Sequence, residues 1–313
     1  MNDLEELEGV GSTTASKLRN SGFITIEAIA VTPARELSEK SGLGYNTALN
    51  ITSAARKLVN VNFVTAKEVW EKRKEQLRIS TGSENLDNML GGGVETQALT
   101  ELIGEFGSGK TQICLTLAVR SQLPQDEGGI SGKALFIDTE GTFITDRVYQ
   151  IAEASGLAPE TVLENIFVAR AYNSDHQCLL IDELFQICSN SDVKLVIVDS
   201  MISHFRGEYV GREHLAERQQ KLNYYLHKLV RLSEAYNIAV VITNQVQANP
   251  AQFFGDPNKP AGGHVMAHAS THRIYLRKGK SNTRLARVID SPCLPETSIR
   301  FRISEKGIEN SEE

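Results

Sequence analysis

The chain has 313 residues, 41% apolar and 23% charged, with a formal net charge of −6, which suits one large α/β domain plus a small companion. The negative balance excludes a protein that coats itself in nucleic acid on every face. With no apolar run of about 18 residues, and an acidic start, Met1-Asn2-Asp3-Leu4-Glu5-Glu6, unlike a signal peptide, neither a membrane span nor an export leader is expected.

An internal repeat comes first. Gly9-Val10-Gly11, followed by Ala15 and Leu18, returns as Gly42-Leu43-Gly44, followed by Ala48 and Ile51, at a constant offset of 33. Each copy reads as helix, Gly-x-Gly hairpin, helix, because glycine turns this tightly at low cost. Ser12 and Asn46 stand where N-caps of the following helices are expected. The doubled copy resembles the helix-hairpin-helix module, which holds a DNA phosphate on backbone N–H groups at a helix start without reading bases. A plain five-helix bundle is the alternative. Residues 1–59 are thus expected to form a small all-α DNA-binding domain, with Gly9, Gly11 and Lys17 at the DNA. Its 6 basic against 7 acidic residues keep that contact weak.

Residues 60–72 read as a linker. Within it Val61-Asn62-Phe63-Val64-Thr65-Ala66 is a short apolar strand, either a buried connector or an edge strand docking on another copy. From there a core, 73–313, follows an α/β pattern. Continuous apolar strands at 98–103, 134–137, 195–198 and 238–242 alternate with helices at 111–122, 146–155, 178–189 and 215–236. Strands apolar on both faces imply a mostly parallel sheet covered on both sides. After Thr271 the pattern changes to alternation at 273–277, 285–289 and 299–303, the mark of antiparallel strands extending that sheet.

Gly104-Glu105-Phe106-Gly107-Ser108-Gly109-Lys110-Thr111 follows a predicted strand and opens a predicted helix, the context that identifies a P-loop. Glycines let backbone N–H groups crowd around phosphates. Lys110 supplies charge to the β- and γ-phosphates, and the Thr111 hydroxyl ligates Mg²⁺. Asp199 ends a buried strand at the edge where α/β sheets place ligands, and completes the Mg²⁺ shell. Asp138 and Glu140 end another strand; Glu140 is the candidate for orienting the attacking water. Asn244 and Gln245 end a further strand with amides, one of which is placed to sense the γ-phosphate.

Between Asp256 and Asp290 lie Lys259, Arg273, Arg277, Lys278, Lys280, Arg284 and Arg287 with no acidic residue. Such a run predicts an anion-facing surface, or a sheet edge guarded by lysines. Cys114, Cys178, Cys188 and Cys293 lie far apart without a C-x-x-C, so reduced, buried thiols are expected.

These motifs together resemble the RecA/RadA recombinase superfamily, closely the archaeal members and their eukaryotic counterparts, over nearly the whole chain. The resemblance implies a RecA-like P-loop ATPase core behind the helix-hairpin-helix domain. It implies a DNA-dependent ATPase that uses ATP and Mg²⁺, forms helical filaments on single-stranded DNA and pairs it with homologous double-stranded DNA. It makes Glu140 the catalytic glutamate, with Lys110, and Gln245 the γ-phosphate sensor. Gln112 belongs to the nucleotide-binding stretch, and Arg147 stacks on adenine. His268, Asp290 and Pro295 reach the nucleotide from a neighbouring copy. Phe63 and Ala66 form the F-x-x-A polymerisation motif. Residues 203–220 look like the first DNA-binding loop, with Arg206, Arg212 and Arg218 meeting phosphates, and 247–268 like the second. Glu213-His214 and Asn249 depart from the family's pattern and lower the positive charge at the DNA face. A helicase on the same core would not need the F-x-x-A strand; a non-catalytic mediator would lack Glu140, the N-terminal domain or a loop. Rings without DNA and a cytoplasmic location complete the expectation; the longest basic run, Lys72-Arg73-Lys74, is short for a nuclear import signal.

Overall fold

In the computed structural model, which describes residues 4–59, 63–248 and 258–311, the glycine repeats turn as their spacing predicts. Gly9 and Gly42 take φ of 85° and 66°, a left-handed conformation that costs other residues about 1–2 kcal/mol. The helices Ser12–Asn20 and Tyr45–Leu58 start directly after Gly11 and Gly44. These glycines, not the predicted Ser12 and Asn46, are the N-caps: their carbonyls accept the first helical bonds from Ala15 and Ala48. Neither helix start carries a side-chain cap, so its leading N–H groups remain unspent on the protein's own side chains. With Ile26–Val31 and Ala34–Ser41, these helices close over Leu4, Leu18, Ile29, Leu37 and Ile51.

The expected linker strand, 61–66, falls partly outside the described residues. Residues 60–62 lie outside the described residues; Phe63–Thr65 pair with no strand, and Ala66 opens a helix, Ala66–Arg73. A capping box imposes that start. Glu68 N–H donates to the Thr65 hydroxyl at 3.2 Å, while the Glu68 carboxylate accepts the Thr65 N–H at 2.6 Å, satisfying two end groups reciprocally. Phe63 is fully exposed, which removes the buried-connector alternative.

The chain divides into two compact units, Met1–Gln76 with Asp182–Asp192, and Leu77–Ile181 with Val193–Glu313. In the second unit the strands in chain order are β1 (Arg78–Ile79), β2 (Val94–Glu95), β3 (Ala98–Gly104), β4 (Lys133–Asp138), β5 (Ile166–Arg170), β6 (Val193–Asp199), β7 (Ala239–Asn244), β8 (Val246–Ala248), β9 (Asn258–Pro260), β10 (His272–Lys278), β11 (Thr283–Asp290), β12 (Ser298–Ser304) and β13 (Gly307–Asn310). The central sheet runs β13-β12-β11-β10-β3-β7-β6-β4-β5. Strands β10, β3, β7, β6, β4 and β5 are mutually parallel, and β11, β12 and β13 extend the sheet antiparallel. The predicted apolar strands all appear, within two residues at each end. The helix Leu215–Tyr236 buries Leu222, Leu226, Leu229 and Leu232, a helical-period stripe facing the sheet. No helix among the described residues is long and apolar enough to cross a membrane.

Register does the positioning. Asp138 pairs with Asp199, and Ile103 with Asn244, so the C-terminal ends of β3, β4, β6 and β7 meet at one edge of the sheet, the ligand edge of open α/β folds.

Several expectations change. The supposed first loop is mostly helix, Ser203–Glu208 and the start of Leu215–Tyr236, leaving 209–214 between. The supposed second loop is rooted in the β8–β9 ribbon and ends in the helix Gly263–Ala269; Asn249, Gly255 and Pro257 lie outside the described residues. The basic stretch is no single anion-facing surface, because strand alternation and pairing disperse it. Arg273 is buried and donates to Glu101 at 2.6 Å, Arg287 pairs with Glu296, and Arg284 turns to the P-loop. Cys293 is exposed, unlike the three buried thiols.

Glu101 is fully buried, with Arg273, Asn244 and Ser270 as donors. Replacing Arg273 by leucine strands that charge, and urea unfolding should record a loss of about 3 kcal/mol. Lys280→Ala, at an exposed turn, should stay within about 0.5 kcal/mol.

Candidate nucleotide site

β3 ends at Gly104, and the chain turns through Gly107 and Gly109, with φ of 74° and 103°, into the helix Lys110–Arg120. A Cβ on Gly104 would stand 2.5 Å from both the Leu276 carbonyl oxygen and the Ser108 hydroxyl, so only glycine fits there. The helix start has no side-chain cap, which aims its first N–H groups and positive dipole end into the loop. Lys110 Nζ spans the loop, donating to the Gly104 and Glu105 carbonyls at 2.9 Å each. Burial lowers its pKa, against the opposing pull of Asp199 and Glu140.

Asp199 is 3% exposed at the end of β6. Its carboxylate accepts the Thr111 hydroxyl at 2.7 Å on one oxygen and the Thr243 hydroxyl on the other. Burial raises its pKa, while the hydrogen bonds from Thr243 and Thr111 act to lower it. A cavity of about 600 Å³ opens in front of these groups, lined also by Gly109, Glu140, Gln245 and Arg284.

Mg²⁺ and a nucleotide fit this donor set. Gly104, Gly107 and Gly109 line the cavity without side chains, and the uncapped helix start offers it N–H groups that phosphate oxygens satisfy. No group of three or more His, Cys, Asp or Glu gathers here or elsewhere among the described residues. What the protein offers is two hard oxygens, Thr111 and Asp199, and Mg²⁺ is a cation held by few protein ligands alongside substrate phosphates and water.

Asp138 has a different task from the one its strand position suggests. Its carboxylate accepts the N–H groups of Glu140, Gly141 and Thr142 on one oxygen, at 2.7 to 3.2 Å, and that of Phe143 on the other. Arg170 on β5 adds an ion pair at 3.1 Å. Asp138 therefore folds the loop that presents Glu140 and is not spare for a metal. Glu140 is exposed, and its carboxylate accepts from Gln245 Nε2 at 2.8 Å. The Gln245 carbonyl oxygen accepts in turn from Arg206 Nη1 at 3.2 Å. Three residues from separate segments thus stand in one hydrogen-bonded line.

Asn244 points away from the cavity, donating to Glu101 and to the Ala261 carbonyl; of the two predicted amides only Gln245 lines it. Arg147 lies outside the lining residues. It donates to Gln112 at 2.8 Å, to Gln150, and to the Ser304 and Glu305 carbonyls. His268, Asp290 and Pro295 are exposed and do not line the cavity. Arg212 is exposed and Arg218 half-buried. Gly9, Gly11 and Lys17 belong to the first unit, as do Phe63 and the exposed Ala66. Thr243, Arg170 and Arg284 were not anticipated as site residues. Arg284 Nε donates to the Gly107 carbonyl at 3.0 Å, and only β11's position beside the loop reveals it.

A family model described as Rad51 matches residues 72–311, and one for the SAM-like helix-hairpin-helix tandem matches residues 1–57. The chain belongs to the Rad51 family. The DNA repair and recombination protein RadA of Aeropyrum pernix is 51% identical over 310 residues, which cover 99% of this chain and 97% of that protein. Members of the Rad51 family are DNA-dependent ATPases, and the helix-hairpin-helix match falls on the glycine repeats described above.

Removing the Asp138 carboxylate should release four N–H groups and let Glu140 drift. Asp138→Ala is expected to lower kcat for ATP hydrolysis on the order of 10- to 100-fold with little change in nucleotide affinity. A kcat within about twofold of wild type would show that Asp138 does not place Glu140.

Proposed function

We infer that the P-loop site serves one activity: this chain is a DNA-dependent ATPase and strand-exchange recombinase of homologous recombination and repair. The observation that carries the mechanism is the line Glu140–Gln245–Arg206, which connects the nucleotide cavity to the segment after β6 that meets DNA.

The P-loop amides from Gly104 through Gln112, with the Lys110 ammonium, hold the phosphates of ATP. Thr111 and Asp199 hold Mg²⁺. Mg²⁺ held by Thr111 and Asp199 would supply positive charge against the negative charge of the phosphates. Glu140, exposed at the mouth of the cavity, orients the attacking water. Gln245 reports the γ-phosphate, and Arg147, fixed by four acceptors, presents its guanidinium to the adenine.

Arg206, Arg212 and Arg218 take DNA phosphates. Arg206 cannot serve both a phosphate and Gln245 with the same N–H, so DNA at this segment releases Gln245 toward the nucleotide. Residues 1–59, with Gly9, Gly11 and Lys17, add a weak phosphate contact through the uncapped helix starts. His268, Asp290 and Pro295, exposed and outside their own chain's cavity, complete the site of a neighbouring copy. Residues 60–72 carry the contact that joins copies, through Phe63 and Ala66. Strand β5 is a sheet edge that exposes Phe167 and Val168, the kind of unpaired row that an incoming strand extends. Such a head-to-tail contact propagates as a helix on single-stranded DNA, with rings as its closed form without DNA. The working location is the cytoplasm, with residues 73–313 as the ATPase core.

Electron microscopy with ATP and single-stranded DNA, together with a D-loop assay, tests this reading. Wild type should form continuous filaments and D-loops; Lys110→Ala should lose D-loop formation. Closed rings on DNA, or no strand pairing by wild type, would overturn the recombinase assignment.

A further inference from the structure

A buried polar network outside the cavity carries an inference about the segment Asp290-Ser291-Pro292-Cys293-Leu294-Pro295. Glu95 at the end of β2 and His272 at the start of β10 are 5% and 4% exposed. One Glu95 oxygen lies 2.8 Å from His272 Nε2, and the other accepts from Arg78 at 3.0 Å. His272 Nδ1 lies 2.9 Å from the Ser291 hydroxyl. That hydroxyl oxygen also accepts the N–H groups of Leu294 at 2.9 Å and Cys293 at 3.3 Å. The antiparallel register explains the meeting: Arg273 pairs with Asp290, so the next residue on one strand, Ser291, falls beside the preceding residue on the other, His272.

Counting donors and acceptors settles the protons. The two backbone N–H groups occupy both lone pairs of the Ser291 oxygen, so its O–H donates, and the acceptor in reach is His272 Nδ1. The Cys293 sulfur, 3.9 Å away, is a weaker alternative. An accepting Nδ1 leaves the proton on Nε2, where the Glu95 carboxylate takes it. The ring is thus held in one tautomer by its carboxylate partner, and through that tautomer it directs the serine proton.

We propose that His272 is the positioning residue for the segment 290–295. Glu95 sets the ring's tautomer, His272 turns the Ser291 hydroxyl, and the oriented Ser291 oxygen pins the backbone at 293 and 294. That holds Asp290 and Pro295 at the two ends of a fixed turn. The consequence for ATP rests on the reading that Asp290 and Pro295 complete the nucleotide site of a neighbouring copy. Nothing else in that reading involves Glu95 or His272, neither of which lines the cavity.

Two substitutions separate the two halves of the ring's work. In His272→Asn the amide oxygen takes the place of Nδ1 and keeps Ser291, losing Glu95. In His272→Gln the amide nitrogen takes the place of Nε2 and keeps Glu95, losing Ser291. ATP hydrolysis by full-length protein on single-stranded DNA gives KM and kcat; a thermal melt reports the fold. Positioning predicts that His272→Gln and Ser291→Ala raise the KM for ATP about fivefold with kcat within about twofold, whereas His272→Asn stays close to wild type in KM even if it melts earlier. An equal rise in Asn and Gln variants, or no rise in Gln, would overturn the proposal, since a purely structural staple tracks the melt. Asp290→Ala separates the two levels. An unchanged KM there would overturn the neighbour-site reading and the proposal with it. A raised KM there beside an unchanged His272→Gln would overturn the positioning role alone.

Discussion

Four carboxylates in the ATPase unit are taken out of water, and the site is built from what each must have in return. A buried charge left alone costs several kcal/mol, so its partners are obligatory. Asp199 takes Thr111 from the P-loop helix and Thr243 from β7. Asp138 takes four N–H groups of the loop that carries Glu140. Glu101 takes Arg273, Asn244 and Ser270, and Glu95 takes His272 and Arg78. Asp138, Asp199 and Glu95 end their strands, whereas Glu101 lies mid-way along β3 and ties it to β7 and β10. The parallel register that brings the ends of β3, β4, β6 and β7 to one edge also brings the P-loop, Glu140, Gln245 and Arg206 within one another's reach.

Coupling follows from the same economy of groups. Gln245 faces the cavity with its side chain and accepts the Ala261 N–H with its main-chain carbonyl at 2.8 Å. Asn244 beside it holds the Ala261 carbonyl. The end of β7 thus grips Ala261, just after β9, where Gln245 also meets Glu140 and Arg206. A change at the γ-phosphate that moves the Gln245 side chain acts on a residue whose backbone is already tied to Ala261, so a small displacement has two readouts.

Much of this was legible in the residues. The P-loop announces itself because its chemistry demands glycines and a Lys-Thr pair at fixed spacing, and Asp199 because a fully buried strand seldom ends in a carboxylate without cause. The apolar runs placed the parallel strands because both faces are covered. Strand β5 escaped notice: at the sheet edge, with Phe167 and Val168 exposed, it has neither the continuous run of a central strand nor regular alternation. Ser12 and Asn46 were expected to cap helices on propensity, and the Gly-x-Gly turn overrode it. The run of cations after Asp256 read as one surface because sequence shows charge and hides pairing; Arg273 turned inward to Glu101. Thr243 and Arg284 act through sheet neighbours distant in sequence, as do the partners of Asp138, and single-chain spacing carries no trace of them. The short helices Ser203–Glu208 and Gly263–Ala269 within the two supposed DNA loops were obscured by the glycines and charges that make those segments look irregular.

The claim on which the rest depends is that nucleotide and DNA are linked through Gln245. Linkage is reciprocal: the factor by which a non-hydrolysable ATP analogue tightens single-stranded DNA must equal the factor by which that DNA tightens the analogue. Both can be measured by titration, in wild type and in Gln245→Ala. The prediction is equal factors of about 10 or more in wild type, typical of coupled sites, and a collapse toward one in the variant with each ligand still binding alone. A wild-type factor retained in Gln245→Ala would contradict the coupling and leave the hydrogen-bonded line as structure only.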